Sequence, residues 1–439
     1  MTPFLEVAIV SSTLRKSYTT LPTFECTSSL ASPTLTHLKF QKILVLNLPF
    51  RTDRRDAITL AAATSNMKLE FVDGVTGDSI KQSAYPPPDE NLKLSAGIRG
   101  SWRTHMNALQ RVVEQNLSTA LILEDDVDWD VRVRANLQRY ALATRFLSTN
   151  HDVLSTTQKY PISYRKNTET PETTFHILSD NGITEKLPSI PLSSIYAHPQ
   201  RSPQHASHSP TSPYGDPAQW DILWFGHCGA GFPRYTPFSP SKHAVTTANV
   251  ILTLPNDATV PTGRHLKAHP FQGDLDPLAS AYANHTRIYH RATGGELCTV
   301  GYAVSQRGAR RLLHQFGIKG WNGIFDSELG RWCAGEDEKE KAAAAAAASS
   351  AANGKGNEKA KEIKGRERVC LATQPPILAH HHPQNGESDI GGLGGGYARR
   401  YETKYLRYSV RMNLEKIVQG AGQRELEDQW PDEESEDER

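Results

Sequence analysis

The segment Glu124-Asp125-Asp126-Val127-Asp128 places four carboxylates within five residues, directly after the apolar run Ala120-Leu121-Ile122-Leu123. Carboxylates this close repel one another, so the cluster calls for a compensating cation or for full solvation. Oxygen ligands suit Mg²⁺ or Mn²⁺, which keep several waters and share substrate phosphates with the protein. The competing reading is an acidic loop that opens a helix, where carboxylates complement the positive end of the dipole. A second charged segment, Arg51-Thr52-Asp53-Arg54-Arg55, follows another apolar run, Ile43-Leu44-Val45-Leu46. Guanidinium groups pair bidentately with phosphate oxygens, although taken alone the segment reads more simply as a solvated helix start. Acids for a divalent ion and arginines for phosphate, each just past a strand, together imply a nucleoside diphosphate. That conjunction is more specific than either half.

The cysteines are Cys26, Cys228, Cys298, Cys333 and Cys370, with no CxxC pair, which argues against a structural zinc site. Cys26 lies in a weakly patterned leader. The other four could form two bridges, Cys228–Cys298 and Cys333–Cys370, or remain four reduced thiols. The acceptor sequons Asn116-Leu117-Ser118 and Asn284-His285-Thr286 are compatible with a secretory lumen but are common by chance.

These side chains need elements to position them. Ile43–Leu46 reads as a buried strand, a helix capped at Thr52 or Asp53 runs to about Ser65, and Leu69–Val72 reads as a second strand stopped by Asp73-Gly74. Met106, Leu109, Val112 and Val113 recur at helical spacing over Thr104–Gln115, and Ala120–Leu123 is a strand. Arg132–Leu147 is helical again, Asp221–Phe225 and Thr299–Ser305 are strands, and a helix spans Arg307–Gln315. Strand and helix in alternation predict an α/β fold: a Rossmann-type mixed sheet with helices on both faces. Ligands of such sheets bind beyond the carboxyl ends of strands, where both charged segments fall.

Around this lie a disordered leader at 1–38 and low-complexity or irregular inserts at about 150–215, 230–290 and 334–366. A helix and acidic tail occupy 396–439, the final fifteen or so residues being densely acidic and without a core, and one domain remains within 39–395. The near-cancellation of 49 basic and 48 acidic residues argues against a chain that holds nucleic acid by bulk charge. No stretch approaches the roughly 20 apolar residues of a membrane span, and Glu6 within a short apolar start makes a poor signal peptide.

The ordered motifs resemble glycosyltransferase family 25, which contains bacterial lipooligosaccharide galactosyltransferases and procollagen galactosyltransferases. Ile43–Arg55 is similar to its opening signature, Phe71-Val72-Asp73-Gly74-Val75-Thr76-Gly77 to its next block, and Gly97–His105 to its glycine-then-Ser-His segment. Thr104 replaces the serine there, and Arg99 is a further departure. Leu123-Glu124-Asp125-Asp126 resembles the acidic metal motif. Trp220–Gly226, Gly301–Ser305 with Gly308-Ala309, Phe325-Asp326 and Ser388-Asp389-Ile390 resemble later blocks in the family's order.

The resemblance implies a GT-A-like nucleotide-sugar transferase that inverts the sugar. The donor would be a UDP-sugar, galactose first and glucose second, and the acceptor a hydroxyl of a glycan or glycoprotein. Mn²⁺ or Mg²⁺ would neutralise the leaving diphosphate. The implied metal contacts are Asp125, Asp126 and Asp128, with one histidine of His380-His381-His382, His382 by choice; a solvated histidine run is the alternative. Donor-site candidates are Asn47, Arg51, Arg54, Asp73, Gly100, Glu124 and Gly226. Asp326 is the candidate base, or else a helix cap, because a base must reach the acceptor hydroxyl. His105 would orient donor or acceptor, or else pack beside Trp102. A bridge across the alanine insert would hold Cys333 and Cys370 together in an oxidising compartment. The expected location is the ER or Golgi lumen, or the cytoplasm if the N-terminus is complete. A fold-retaining protein that binds carbohydrate or nucleotide sugar without turnover is the second reading, and a metal-dependent phosphohydrolase the third.

Overall fold

Alternation along the apolar runs sets the architecture of the computed structural model, which describes residues 39–149, 187–197, 212–234, 246–267, 275–337, 367–383, 388–390 and 402–433. In chain order the first elements are β1 (Lys42–Asn47), α1 (Thr52–Thr64), β2 (Leu69–Asp73), α2 (Ala96–Glu114), β3 (Thr119–Glu124), β4 (Val127–Trp129) and α3 (Val133–Leu147). After these come β5 (Ser189–Pro191), α4 (Leu192–Ala197), β6 (Ile222–Gly226), β7 (Ile251–Leu254), α5 (Pro277–Ala281) and β8 (Arg287–Arg291). The rest are β9 (Gly301–Ser305), α6 (Gln306–Leu312), α7 (Phe325–Ala334), β10 (Cys370–Gln374), β11 (Leu378–His382) and β12 (Glu402–Thr403).

Successive strand residues point to opposite faces. Ile43, Val45, Leu121, Leu123, Leu223 and Phe225 therefore join one apolar cluster, with Ile58 of α1 and Leu137 and Tyr140 of α3. Leu44, Leu46, Ile122, Ile222 and Trp224 join the other, with Met106 and Leu109 of α2, Leu312 of α6 and Leu329 and Trp332 of α7. Helices thus cover both faces of one mixed sheet, as the alternating pattern predicts. Its main path runs β2-β1-β3-β9-β6-β10-β8-β7-β5. β1 is parallel to both β2 and β3, whereas β9 lies antiparallel between β3 and β6. Because β1, β2 and β3 run the same way, Asn47 pairs with Asp73 and Leu46 with Glu124, so all three carboxyl ends share one edge.

The interval 230–290, expected as an irregular insert, instead supplies β7 and β8, which pair antiparallel inside the sheet. Arginines at both ends of Arg287-Ile288-Tyr289-His290-Arg291 disguise β8. Arg287 is 1% exposed yet fully partnered, donating to Asp257 Oδ2 at 2.8 Å and Thr259 Oγ1 at 3.0 Å. A short strand, β5, also comes from the stretch expected as the 150–215 insert and lies parallel to β7. Of the stretch expected as a helix and acidic tail, residues 402–433 are described. Thr403, Tyr405, Ser409 and Asn413 are buried, and Arg407 holds Asp428 and Asp432 against the domain. The leader at 1–38 and the alanine tract lie outside the described residues. Among the described residues no helix is long and apolar enough to cross a membrane.

Both cysteine pairings are present as disulfides, Cys228–Cys298 and Cys333–Cys370. The second ties α7 to the start of β10 across 37 residues of sequence.

Candidate active site

The acid cluster divides by direction. Glu124 ends β3, Asp125 and Asp126 form the turn, and Asp128 sits inside β4, which pairs antiparallel with β11. Asn47 Nδ2 donates to Asp125 Oδ2 at 2.8 Å, and Arg54 Nη1 donates to Asp125 Oδ1 at 2.9 Å and Asp126 Oδ2 at 3.0 Å. The end of β1 and the first turn of α1 therefore clamp two of the acids, and Arg54 spends its charge on the carboxylates. Arg51 lies further out, chelated by Asp53 and paired with Asp389.

His380 on β11 closes the cluster from the other side. Its Nε2 lies 3.2 Å from Glu124 Oε2 and 3.6 Å from Asp126 Oδ1. One ligand atom from each of Glu124, Asp126 and His380 fits within 4.8 Å of the other two. Asp126 Oδ1 is buried and has no hydrogen-bond partner among the described residues. A buried carboxylate oxygen without a donor is costly unless something positive faces it. Two carboxylates and an imidazole form a donor set suited to a divalent transition ion such as Mn²⁺. The residues present fit the implied cation.

Charge coupling at this point is strong. Burial opposes ionisation of Glu124 and Asp126, but both carboxyls are driven below the usual range. His105 and His380 hydrogen bonding does this for Glu124, and the His380 and Arg54 charges do it for Asp126. Burial also disfavours a charged His380, yet the Asp126 and Glu124 carboxylates outweigh it and raise its pKa. Asp125 moves the other way, raised by burial and then by the adjacent Asp126 charge, which Arg54 and Asn47 only partly offset.

The expected metal ligand Asp128 is placed differently. It is fully buried, with Oδ2 accepting from Thr403 Oγ1 at 2.8 Å and from Ser409 Oγ, and Oδ1 accepting from Trp129 N at 2.7 Å and Arg411 N at 3.2 Å. Asp126 lies in the turn before β4, whereas Asp128 lies within the strand and its lone pairs hold the C-terminal segment. His382 shares the β11 face with His380, their ring centroids 5.8 Å apart, but it is His380 that groups with the two acids. Burial, then the neighbouring His380, lowers the pKa of His382 to about 4.

His105 stands behind Glu124. Its ring stacks on Phe325 at 4.6 Å, Nδ1 lies 3.1 Å from the Tyr302 hydroxyl, and Nε2 lies 3.2 Å from Thr299 Oγ1 and 3.7 Å from Glu124 Oε1. Thr299 Oγ1 donates to Glu124 Oε1 at 2.7 Å. The ring contacts described for His105 are thus with Phe325, Tyr302, Thr299 and Glu124, and not with Trp102, the neighbour expected for it. Asp326 opens α7, where Oδ2 accepts from Cys298 N at 2.7 Å and Oδ1 accepts from Ser327 N. It ties the helix start to the residue before Thr299.

Asp73 is exposed at the end of β2, in register with Asn47. Gly100 and Gly226 act through packing. A Cβ on Gly100 would collide with the Val75 carbonyl, and one on Gly226 would lie 2.9 Å from both Gly301 N and Leu378 Cβ. The Thr104 hydroxyl, within α2, accepts from Val75 N at 2.9 Å and donates to Gly100 O at 2.8 Å.

Arg411 is a site residue that motif reading missed. Its Nε donates to Val127 O at 2.8 Å and its Nη2 to Asp125 O at 2.7 Å, so one half-buried guanidinium fixes the carbonyls on both sides of Asp126. His381 N adds a bond to Asp126 O at 2.9 Å. The available signal was the arginine in Ser409-Val410-Arg411-Met412, within a segment read as tail.

Comparison with known proteins agrees with this geometry. The sequence model of glycosyltransferase family 25, described as an LPS biosynthesis protein, matches residues 40–327. Procollagen galactosyltransferase 1-B of Xenopus laevis is 26% identical over 112 residues, 23% of this chain and 18% of that protein. Procollagen galactosyltransferase 2 of Homo sapiens is 24% identical over 111 residues, again 23% of this chain and 18% of the relative. A Homo sapiens protein named inactive glycosyltransferase 25 family member 3 is 27% identical over 111 residues, covering 23% of this chain and 19% of its own length. The chain thus aligns with less than a fifth of each of these relatives. The family match takes in the arginines after β1, the acids after β3 and Asp326 at the start of α7, and on that match the chain belongs to glycosyltransferase family 25.

Proposed function

We propose that this chain is a divalent-metal-dependent, inverting glycosyltransferase that moves a sugar, galactose first, from a UDP-sugar to a hydroxyl of a glycan or glycoprotein acceptor. The observation that carries the proposal is the convergence of one ligand atom each from Glu124, Asp126 and His380 within 4.8 Å, with Asp126 Oδ1 lacking a donor among the described residues. Glu124, Asp126 and His380 would hold Mn²⁺ or Mg²⁺, which when bound supplies positive charge for the leaving diphosphate. Asn47 and Arg54 fix the acid turn, and Thr299 with His105 fixes Glu124 from behind. Arg51 at the outer edge is the residue placed to reach a phosphate oxygen, by exchanging its Asp389 partner for the ligand. Asp326 is the candidate base: Oδ2 accepts from Cys298 N and Oδ1 from Ser327 N, which leaves Oδ2 a second lone pair for a proton. The GT-A class and the ER or Golgi lumen belong to the same proposal; the two disulfides support an oxidising compartment.

A second reading, a fold that binds nucleotide sugar without turnover, is favoured by the relative named inactive. A donor screen with Mn²⁺ separates the two. UDP release that disappears in Asp126→Ala supports the transferase, and Mn²⁺-dependent UDP binding without release supports the second. No Mn²⁺- or Mg²⁺-dependent affinity for uridine nucleotides in folded protein defeats both.

A further inference from the structure

His380 has two faces, and only one of them looks at the acids. While Nε2 faces Glu124 and Asp126, Nδ1 lies 3.4 Å from Cys228 Sγ, one half of the Cys228–Cys298 disulfide. That bridge joins the turn after β6 to the residue before Thr299, and both ends are already tied to the site. Cys298 N donates to Asp326 and Cys228 N donates to Leu297 O at 2.8 Å. Cys228 is buried, with Cys298 partly so. The sulfur atoms and the His380 ring also fall within ligand distance of one another, so no gap separates the bridge from the imidazole.

We propose that the Cys228–Cys298 disulfide is a positioning element of the active site: it backs the His380 ring, so that the site is fully formed only when the bridge is oxidised. The reasoning is steric and local. β11 is a strand of five residues, and His380 is partly exposed on it, so its backbone alone leaves the ring free to turn about χ1 and χ2. A covalently fixed pair of sulfurs behind Nδ1 removes part of that freedom. Reduction lets Cys228 Sγ and Cys298 Sγ separate beyond bonding distance, and the support behind the ring moves. The step balances: a dithiol reagent gives two electrons and two protons to the bridge, leaving two cysteine thiols, and becomes its own cyclic disulfide. Outer contacts of this kind orient a ligating histidine, and their loss typically costs about 10–100-fold in metal affinity.

The proposal rests on the metal reading for its consequence but not for its geometry, so two measurements are made on the full chain. The first uses metal-free protein labelled with ¹⁵N-histidine, with the His380 ring signals assigned by their absence in His380→Gln. The paired variant Cys228→Ser/Cys298→Ser, or reduction of the native chain, is expected to shift and broaden those signals. The Cys333→Ser/Cys370→Ser pair serves as control and is expected to leave them in place. The second is Mn²⁺ affinity by titration calorimetry, expected to fall at least tenfold in the first pair and not in the second. Ring signals indifferent to the state of the bridge overturn the proposal whatever the metal does. Shifted ring signals with unchanged affinity overturn its consequence, and a native chain that binds no Mn²⁺ defeats the metal reading while the ring signals still decide the positioning.

Discussion

Two aspartates two residues apart have been given different tasks by their surroundings. Asp126 keeps a buried oxygen without a donor beside Glu124 and His380, whereas both oxygens of Asp128 are saturated by Thr403, Ser409, Trp129 and Arg411. Asp126→Ala is therefore expected to reduce Mn²⁺-dependent UDP release on the order of 100-fold or more, with little loss of melting temperature. Asp128→Ala should show the reverse. Stability drops by about 1–3 kcal/mol for each buried donor left unpaired, while the Mn²⁺ affinity of the folded fraction stays within a few-fold. Denaturant titration alongside calorimetry checks both. A sequence pattern of adjacent acids carries no label for which carboxylate faces a cation, because that depends on which distant segments stand opposite each one, Thr403 and Ser409 for Asp128 and His380 for Asp126.

At the scale of elements, the acid turn is held by pieces from opposite ends of the chain, α1 on one side and the 402–413 segment on the other. Arg411→Ala removes the donors of the Asp125 and Val127 carbonyls. It is expected to weaken Mn²⁺ binding about tenfold, and Arg411→Lys should restore part of it, since an ammonium is a point donor rather than a planar fork. Thermal shift with and without Mn²⁺ reads both changes. The buried β8 arginine makes a separate prediction about acid stability. Burial opposes the charge on Asp257, but Arg287 and Arg139 outweigh it and its pKa falls to about 2, from an ordinary value of 3.8. A carboxyl depressed on folding stabilises the folded state above its unfolded pKa, and that contribution fades as pH falls from 3.8 toward 2. In acid titrations followed by circular dichroism, Asp257→Asn should remove about 2 kcal/mol at neutral pH and flatten the pH dependence in that window.

For the whole molecule, the two disulfides have different predicted effects. Cys333–Cys370 closes a span of 37 residues and lies in the apolar cluster beneath α7. Loop-closure entropy gives its loss a cost of about 2–4 kcal/mol, measurable as a lower denaturant midpoint in Cys333→Ser/Cys370→Ser, with Mn²⁺ affinity unchanged. Local patterns in the chain were enough to predict strands followed by helices, apolar faces on both sides of a sheet, and charged segments at its carboxyl edge, because those follow from periods of two and 3.6. The ordered family motifs likewise pointed to the acids and to Arg54. Which strands lie inside the sheet was another matter. β8 was hidden because Arg287 is buried against Asp257 and Thr259, and Arg291 against Leu147 O and Glu367, partners contributed by other segments. The choice of His380 over His382, the retirement of Asp128 into scaffolding, and the reach of Arg411 across the acid turn all depend on residues more than two hundred positions apart in the chain. Such contacts exist only after the chain has folded, since composition and spacing encode direction within an element but not which distant element will stand opposite it.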